Sequence, residues 1–383
     1  MKVLITSGIF PPDIGGPATY AINLCRELRR LGCEVRIITY GNGITAEGVL
    51  AVKRNQNILS RYIKFFLLAW RLSPWADIVY TLDLMSAGLP AAMAAKIRKK
   101  KVIFRTGGDF LWEKAMQKGW TDRPLLQYYE RLQKTRNLAE AIYRRLCTWV
   151  LNRMDLVVFS TPLQADIYKK VYNLSPLKIK LIPNASTSRF VQEASDEFRD
   201  YLVFAGRLIK LKNLERLIGA VAELGDKGIK LVIFGQGPEK DNLQRLIKEL
   251  NAEAYILLKN SIEHEKLINI IVGSKFVVLP SLTEISPNLA LECLSMSKPI
   301  VLTNQTGLRK ELIGELITFD PLSLEDLKKS IEYLLDPAHL SEYAAKMKQL
   351  KIEEWGWDKI AAEHINIFKN LLDGKNFIDQ SAV

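Results

Sequence analysis

Two glutamates lie eight positions apart in the second half of the sequence, in surroundings that suit a ligand site. Glu284 follows the apolar run FVVLP, and Glu292 comes after Ser286, Pro287 and Asn288. Proline is favoured in the first turn of a helix, which would place Glu292 about one turn inside that helix. This spacing lets one carboxylate face a sugar ring while the other reaches a ribose diol. Backbone N–H groups at the helix start stay available to phosphate.

Two cations follow another strand-like run in the stretch YLVFAGRLIKLKN. After the turn at Gly206, Arg207 and Lys212 would lie at the carboxyl end of a parallel strand, where open α/β sheets bind ligands. A guanidinium and an ammonium there would hold a diphosphate and offset the charge on a departing nucleotide. Gly235, in FGQGP, repeats the strand–glycine pattern one unit later.

A glycine pair marks the point where the first strand gives way to a helix. Gly15 and Gly16 stand in PPDIGGPATY. Because they lack a Cβ atom, backbone N–H groups can approach a ligand closely there, with a helix N-terminus behind them. The alternative is a tight turn that needs glycine and binds nothing.

The strands and helices that position these residues are predicted by a regular alternation of short apolar runs and longer amphipathic stretches. This pattern is typical of parallel sheets covered by helices on both faces. The strand-like runs are KVLITS, VRIIT, DIVYT, KVIFRT and DLVVFS, then YLVFAG, KLVIFG, AYILL, FVVLP and PIVLT.

The series restarts near Tyr201, after the polar stretch VQEASDEFRD, which indicates a linker between two α/β domains. We predict an N-terminal Rossmann-like domain over residues 1–195 and a C-terminal Rossmann-like domain over residues 196–350. Residues 351–383 would form a helical segment that packs back toward the N-terminal domain.

The net charge of +12 is unevenly divided along the chain. Residues 1–200 hold 31 Lys and Arg against 17 Asp and Glu, whereas residues 201–383 hold 23 against 25. A basic field of this kind attracts phosphates on nucleic acid, anionic lipid or a pyrophosphate-linked acceptor. No nucleic-acid recognition motif is found, so we expect no nucleic-acid partner. A merely solubilising basic surface is the other alternative.

Two segments of the basic half combine cations with large apolar side chains. Residues 57–72 read NILSRYIKFFLLAWRL, with Arg61, Lys64 and Arg71 among the apolar residues, and residues 123–153 form a second basic stretch with Tyr, Leu and Trp. Both are interpreted either as interfacial helices that meet anionic lipid or as amphipathic helices packed on the first sheet.

No run approaches the roughly 18 uncharged apolar residues of a spanning helix. The four scattered cysteines indicate reduced thiols. We therefore expect a cytoplasmic protein. If the two basic segments are interfacial helices, it would be peripheral on the inner face of the cell membrane.

The sequence resembles the large GT-B family of retaining, nucleotide-sugar-dependent glycosyltransferases, which includes sucrose synthases, bacterial phospholipid mannosyltransferases and polysaccharide glycosyltransferases. The match extends along most of the chain. It covers PPDIGGPATYAINLCRELRRLG, the segment from Ile182 to Phe190, GRLIKLKN, FGQGP, the ExxxxxxxE motif and EWGWDKIAAE. The resemblance implies an α/β GT-B fold, in which two doubly wound Rossmann-like domains face each other across a cleft.

The resemblance also implies roles for the residues named above. Glu284 contacts the donor sugar, Glu292 holds the ribose, Arg207 and Lys212 bind the diphosphate, and the loop at Gly15–Gly16 closes over the donor. The expected donor-binding set is completed by Gly206, Gly235, Ser286, Pro287, Asn288 and Leu289. The family uses no catalytic metal, so we expect no metal and no cofactor besides the nucleotide-diphosphate sugar that serves as donor.

The sequence departs from the family pattern at one position. Many relatives carry a histidine after the fourth strand of the first domain, but His264, His339 and His364 all lie in the second half. The corresponding stretch reads VIFRTGGDFLWEK. Asp109 in it is the candidate base, because a carboxylate on a glycine-rich loop can accept the proton of an acceptor hydroxyl. Alternatively, Asp109 caps the following helix.

These observations predict a metal-independent retaining hexosyltransferase. Its acceptor would be lipid-linked or a saccharide, in glycolipid or cell-surface polysaccharide synthesis. The alternatives are a non-catalytic protein that binds nucleotide sugar or polysaccharide, and a GT-B epimerase or phosphorylase. The nucleotide base, the sugar and the acceptor depend on loop geometry around Leu258–Ser261 and Asn288, which the sequence leaves open.

Overall fold

The structure is a computed structural model that describes residues 1–13, 15–44, 46–132, 137–186 and 193–375. The chain divides into two compact units. Unit 1 comprises the described residues of Met1–Leu111, Leu132–Ala185 and Trp355–Val383, and unit 2 those of Trp112–Arg131 and Ser186–Glu354.

Each unit is built on one parallel sheet. The strands of unit 1 are β1 Lys2–Ser7, β2 Glu34–Tyr40, β3 Val49–Val52, β4 Ile78–Thr81, β5 Lys101–Thr106, β6 Leu156–Phe159 and β7 Ile179–Leu181. Those of unit 2 are β8 Tyr201–Ala205, β9 Lys230–Phe234, β10 Ile256–Lys259, β11 Phe276–Leu279, β12 Ile300–Thr303 and β13 Ile317–Phe319. The strand orders are β3-β2-β1-β4-β5-β6-β7 and β10-β9-β8-β11-β12-β13. All predicted runs form strands, and the three additional strands are short edge strands.

Helices connect most of the successive strands in both units. They are α1 Gly16–Arg30, α2 Ile58–Leu72, α3 Gly88–Ile97, α4 Phe110–Gln117, α5 Leu125–Leu132, α6 Leu138–Arg153, α7 Pro162–Tyr172, α8 Leu214–Glu223, α9 Lys240–Glu249, α10 His264–Gly273, α11 Asn288–Ser295, α12 Lys310–Ile313, α13 Leu324–Leu335, α14 Pro337–Gln349 and α15 Trp357–Leu372. Within the described part of the chain, no helix is both long and apolar enough to cross a membrane.

Residues 112–131 belong to unit 2, although the sequence analysis assigned them to the first domain. One contact that ties them there is the backbone N–H of Leu125, which donates to Oγ1 of Thr283 at 2.9 Å. Nothing in a local pattern reveals such a partner, because the two residues are 158 positions apart. The expected boundary at residue 195 also differs from the division at residue 185. Residues 187–190 of the matched segment and residues 191–192 of the expected linker lie outside the described residues.

The C-terminal helix α15 completes the core of unit 1. Its buried Ile360, Phe368 and His364 lie in the same unit as Tyr80 of β4. The carbonyl of Ile360 can only accept, so Nδ1 of His364 donates to it at 2.7 Å. Nε2 of the neutral ring then accepts from the hydroxyl of Tyr80 at 2.6 Å. Burial lowers the pKa of His364 to about 3, which keeps the ring neutral in the folded protein.

Candidate functional site

In unit 2, the loops after β8 and β9 lie against each other at the carboxyl edge of the sheet. The N–H of Leu208 donates to the carbonyl of Gln236 at 2.9 Å, and the N–H of Glu239 donates to the carbonyl of Leu208 at 3.1 Å. A Cβ atom at buried Gly235 would lie 2.1 Å from the carbonyl oxygen of Gly206. Glycine is therefore required at residue 235 by this close approach of two backbones.

The two predicted phosphate-binding cations follow β8. Arg207 has an exposed side chain. Lys212 ends a short 3₁₀ turn, and its Nζ lies 2.5 Å from Oε1 of Glu284. The side chain of Lys212 is only 21% exposed, so this ion pair is shielded from water more than a surface pair is.

A residue that sequence reasoning missed holds the turn of Lys212 in place. Asn213 has a positive φ of 54°, in the left-handed region that asparagine tolerates. Its Nδ2 donates to the carbonyls of Pro280 and Pro321, both at 3.0 Å. The only available signal was an asparagine directly before a helix, and that position commonly caps the helix. Here the side chain instead bridges two distant loops.

Glu284 is held by contacts of both its backbone and its side chain. The hydroxyl of Ser281 donates to the same carboxylate oxygen that pairs with Lys212. The N–H of Glu284 donates to the carbonyl of Gln305 at 2.9 Å, and its own carbonyl accepts from the N–H of Gly307 at 2.8 Å. The carboxylate is therefore fixed beside the ammonium before any ligand binds.

Glu292 lies within α11, which begins at Asn288 directly after Pro287, close to the predicted helix start. Its Oε1 lies 3.0 Å from Nε2 of His264, the first residue of α10. Both side chains are partly exposed. Sequence reasoning noted His264 only as a histidine outside the first domain, because the 28-residue separation hides this contact.

The remaining donor-binding candidates of unit 2 occupy the loop between β11 and α11. Pro287 is buried and Asn288 is exposed, while Ser286 and Leu289 are partly exposed. The N–H of Asn288 donates to the carbonyl of Ser286 at 2.8 Å, which tightens the turn into the helix.

In unit 1, the glycine pair lies at the start of α1, as its sequence position predicted. Gly15 is the N-cap residue and Gly16 is the first helical residue. A Cβ atom at Gly15 would lie 2.7 Å from Cδ1 of Ile9, whereas one at Gly16 would meet no atom within 4 Å. Packing against Ile9 therefore favours a glycine at residue 15. At residue 16 there is room for a side chain, so packing does not account for the glycine there.

Asp109 lies directly before the first residue of α4 and is completely buried. The preceding carbonyl of Gly108 accepts from Nε2 of Gln164 at 2.5 Å. Burial and, to a smaller extent, the nearby Asp109 carboxylate raise the pKa of the Cys147 thiol to about 12. Position and burial suit a helix cap; the role of acceptor base remains a prediction.

Comparisons with known proteins match both parts of the chain. Residues 14–186 match the model of Glycosyltransferase Family 4, and residues 186–351 match the model of Glycosyl transferases group 1. The chain is 24% identical to a protein of Methanocaldococcus jannaschii described as an uncharacterized glycosyltransferase, over 96% of this chain and 98% of the relative. It is 23% identical to the phosphatidylinositol N-acetylglucosaminyltransferase GPI3 subunit of Saccharomyces cerevisiae, over 97% of this chain and 83% of the relative.

The fold is also similar to that of a solved structure, sucrose-phosphate synthase from Thermosynechococcus elongatus. The TM-score is 0.74 at 16% sequence identity, and the alignment covers 98% of this chain and 100% of the other. This likeness agrees with the two parallel sheets and their helices.

Proposed function

The chain belongs to the GT-B glycosyltransferase family, and from that premise we propose that it transfers a sugar from a nucleotide-diphosphate sugar to an acceptor with retention of configuration. One observation carries the proposal. The ion pair of Lys212 with Glu284 puts a cation and a carboxylate 2.5 Å apart at the carboxyl edge of the unit 2 sheet, one short turn from exposed Arg207. Ligands of open α/β sheets bind at this edge.

In this proposal, Arg207 and Lys212 hold the diphosphate. Negative charge grows on the departing phosphate as the glycosidic bond breaks, so two cations beside it lower the energy of the transition state more than that of the bound donor. Glu284 accepts hydrogen bonds from the hydroxyls of the donor sugar. Its contacts with Ser281 and the backbone of Gly307 fix the carboxylate in advance, which reduces the reorganisation needed during the reaction.

Glu292 binds the ribose diol, and His264 orients the carboxylate that does so. The partial exposure of both side chains suits this role, since a ligand can reach them without displacing core residues. The loop from Ser286 to Leu289 and the start of α11 would contribute backbone N–H groups to the phosphates.

The step is a front-face displacement that needs no metal ion. The bond between the anomeric carbon and the diphosphate oxygen breaks, and the acceptor oxygen forms a new bond to that carbon on the same face. The proton of the acceptor hydroxyl passes to the departing phosphate oxygen or to Asp109, the candidate base. Asp109→Asn separates the two roles of this residue, because asparagine caps helices as well as aspartate does but accepts no proton.

We further propose that the acceptor is lipid-linked and met at the cytoplasmic face of the cell membrane, in glycolipid or cell-surface polysaccharide synthesis. The name of the yeast relative refers to phosphatidylinositol, a membrane lipid. The excess of basic residues in residues 1–200 favours an acceptor that carries phosphate.

The test is release of nucleoside diphosphate from a panel of UDP-, GDP- and ADP-sugars, with and without EDTA. We expect slow hydrolysis of one donor, unchanged by EDTA, and loss of at least about tenfold in Lys212→Ala. The matched control is Lys210→Ala, since Lys210 is an exposed lysine of the same 3₁₀ turn. Release that needs Mn²⁺ or Mg²⁺, or equal loss in both variants, would contradict the proposal. With an acceptor in hand, NMR of the product gives the anomeric configuration.

A further inference from the structure

Helix α2 of unit 1 presents an apolar stripe to solvent. Leu59, Ile63, Leu67 and Trp70 follow the spacing i, i+4, i+8, i+11, so they share one side of the helix. All four are exposed, Leu59 by 67% and Leu67 by 53%. A helix of a soluble protein normally turns its apolar side to the core, and α2 does bury Phe65 and Ala69 on its other side.

Two neighbouring helices continue this stripe. Helix α3 exposes Met93 and Ile97, and α6 exposes Leu138, Ile142 and Trp149. The guanidinium of Arg98, the residue after α3, lies 3.7 Å from the ring centre of Trp70 and so joins α3 to α2. A groove of about 480 Å³ joins α3 to α6; it is lined by Leu89, Met93, Arg145, Leu146 and Trp149. We call this continuous surface of α2, α3 and α6 the apolar face.

The charges on the apolar face have one sign. Its cations are Lys64, Arg71, Arg98, Arg144, Arg145 and Arg153. Helices α2 and α3 contain no Asp or Glu, and the single acidic residue of α6, Glu140, is completely buried. The guanidinium of Arg153 lies 3.4 Å from the ring centre of Trp149, so this charge rests on the face of an exposed aromatic ring.

We propose that the apolar face is the surface through which unit 1 binds an anionic lipid bilayer. Exposed Leu, Ile and Trp side chains with a cationic border suit the headgroup region, where apolar groups enter the acyl boundary and lysine and arginine meet anionic headgroups. A second copy of the chain is a poor occupant, because a twofold interface would bring these cations against their own equivalents. This inference does not depend on sugar transfer.

The apolar face corrects the surface that the sequence suggested. Helix α5, part of the predicted segment 123–153, belongs to unit 2 and buries Leu125, Tyr128 and Tyr129. Residues 133–136 of that segment lie outside the described residues. The predicted surface did not include α3, because Met93 and Ile97 add to an apolar stripe only where α3 lies beside α2 and α6.

Flotation of the full chain with liposomes tests the inference, without any sugar donor. One set of vesicles is phosphatidylcholine alone, and the other contains phosphatidylglycerol as well. We expect binding to the anionic vesicles at low salt, at least about tenfold weaker binding to neutral vesicles, and release at high salt. Lys64→Glu, Arg71→Glu and Arg145→Glu together should abolish binding, because all three side chains are exposed. Leu67→Gln with Trp70→Gln should weaken binding at unchanged charge.

The matched control is Lys329→Glu, Lys348→Glu and Lys351→Glu, which makes the same change of net charge with exposed lysines of unit 2. This control variant should retain most of its binding to the anionic vesicles. Each variant should hydrolyse the donor at the wild-type rate and keep the wild-type melting temperature. Three results would overturn the inference: no binding of the wild type, equal binding to neutral and anionic vesicles, or equal loss in the unit 1 and unit 2 charge variants. Membrane binding without donor hydrolysis would instead count against the proposed function alone.

Discussion

Nε2 of His264 lies 3.0 Å from Oε1 of Glu292, and this contact joins the start of α10 to α11. The two helices are consecutive around β11, so the pair spans one strand–helix unit of the sheet. Because both side chains are partly exposed, a ligand can reach the pair.

Removing either member of this pair should weaken binding of the nucleotide. Glu292→Ala removes charge-assisted hydrogen bonds to the ribose, each contributing about 1.5–3 kcal/mol, so Kd should rise at least about tenfold. His264→Ala removes only the group that orients the carboxylate, so Kd should rise about fivefold. Titration calorimetry with the preferred nucleoside diphosphate measures both. The double variant should resemble Glu292→Ala, and additive losses would show that His264 acts independently of Glu292.

Asn213 should affect both stability and turnover through Lys212. Asn213→Ala removes two hydrogen bonds to the carbonyls of Pro280 and Pro321 and puts a Cβ-bearing residue without a polar side chain at φ 54°. We expect a loss of about 2–3 kcal/mol of unfolding free energy and a lower kcat. Asn213→Gly relieves the backbone cost while losing the same hydrogen bonds, so it should be the more stable of the two variants. Equal stability of wild type and Asn213→Ala in denaturant unfolding would refute this account.

Alanine should have opposite effects on the free energy of unfolding at Gly235 and at Gly219. At Gly235, a methyl group would lie 2.1 Å from the backbone oxygen of Gly206, which cannot turn aside. Gly235→Ala should therefore cost about 3 kcal/mol and separate the two loops beside Arg207. Gly219, inside α8, would place its methyl group at an ordinary 4.0 Å from Leu324. Gly219→Ala should be neutral or stabilise by up to about 1 kcal/mol, and thermal unfolding compares both with wild type.

His364 should make unit 1 sensitive to acid. Its pKa is about 3 in the folded protein, well below the ordinary value of 6.5, because the ring is buried. Between these two pH values the unfolded chain binds a proton that the folded chain does not, so stability falls as the pH is lowered from 6.5 toward 3. The slope contributed by one such group is at most about 1.4 kcal/mol per pH unit.

The measurement for His364 is the unfolding free energy as a function of pH, for wild type and His364→Phe. The variant loses the acceptor of the Tyr80 hydroxyl, so it should be less stable than wild type at neutral pH. Its stability should nevertheless fall less steeply below pH 6.5. Parallel curves for the two proteins would mean that His364 does not contribute to the acid response.

The sequence by itself determined the strands and the starts of the helices α1 and α11, and it predicted the charged residues of the candidate site. Apolar periodicity sets secondary structure locally, which is why KVLITS and YLVFAG could be recognised as the strands β1 and β8. Likewise Pro287 indicated the start of α11 to within a residue. Because parallel strands end at one edge of a sheet, the sequence predicted Arg207 and Lys212 at the carboxyl edge, and the structure brings Lys212 to within 2.5 Å of Glu284 there.

Only the tertiary structure decided which distant residues meet. The contact of His264 with Glu292, the bridge from Asn213 to Pro280 and Pro321, and the bond from Leu125 to Thr283 join residues between 28 and 158 positions apart. Such contacts depend on the path of the folded backbone, and no local periodicity records them. The apolar face has the same origin, since α2, α3 and α6 each carry a modest stripe that becomes one surface only when packing sets the helices side by side.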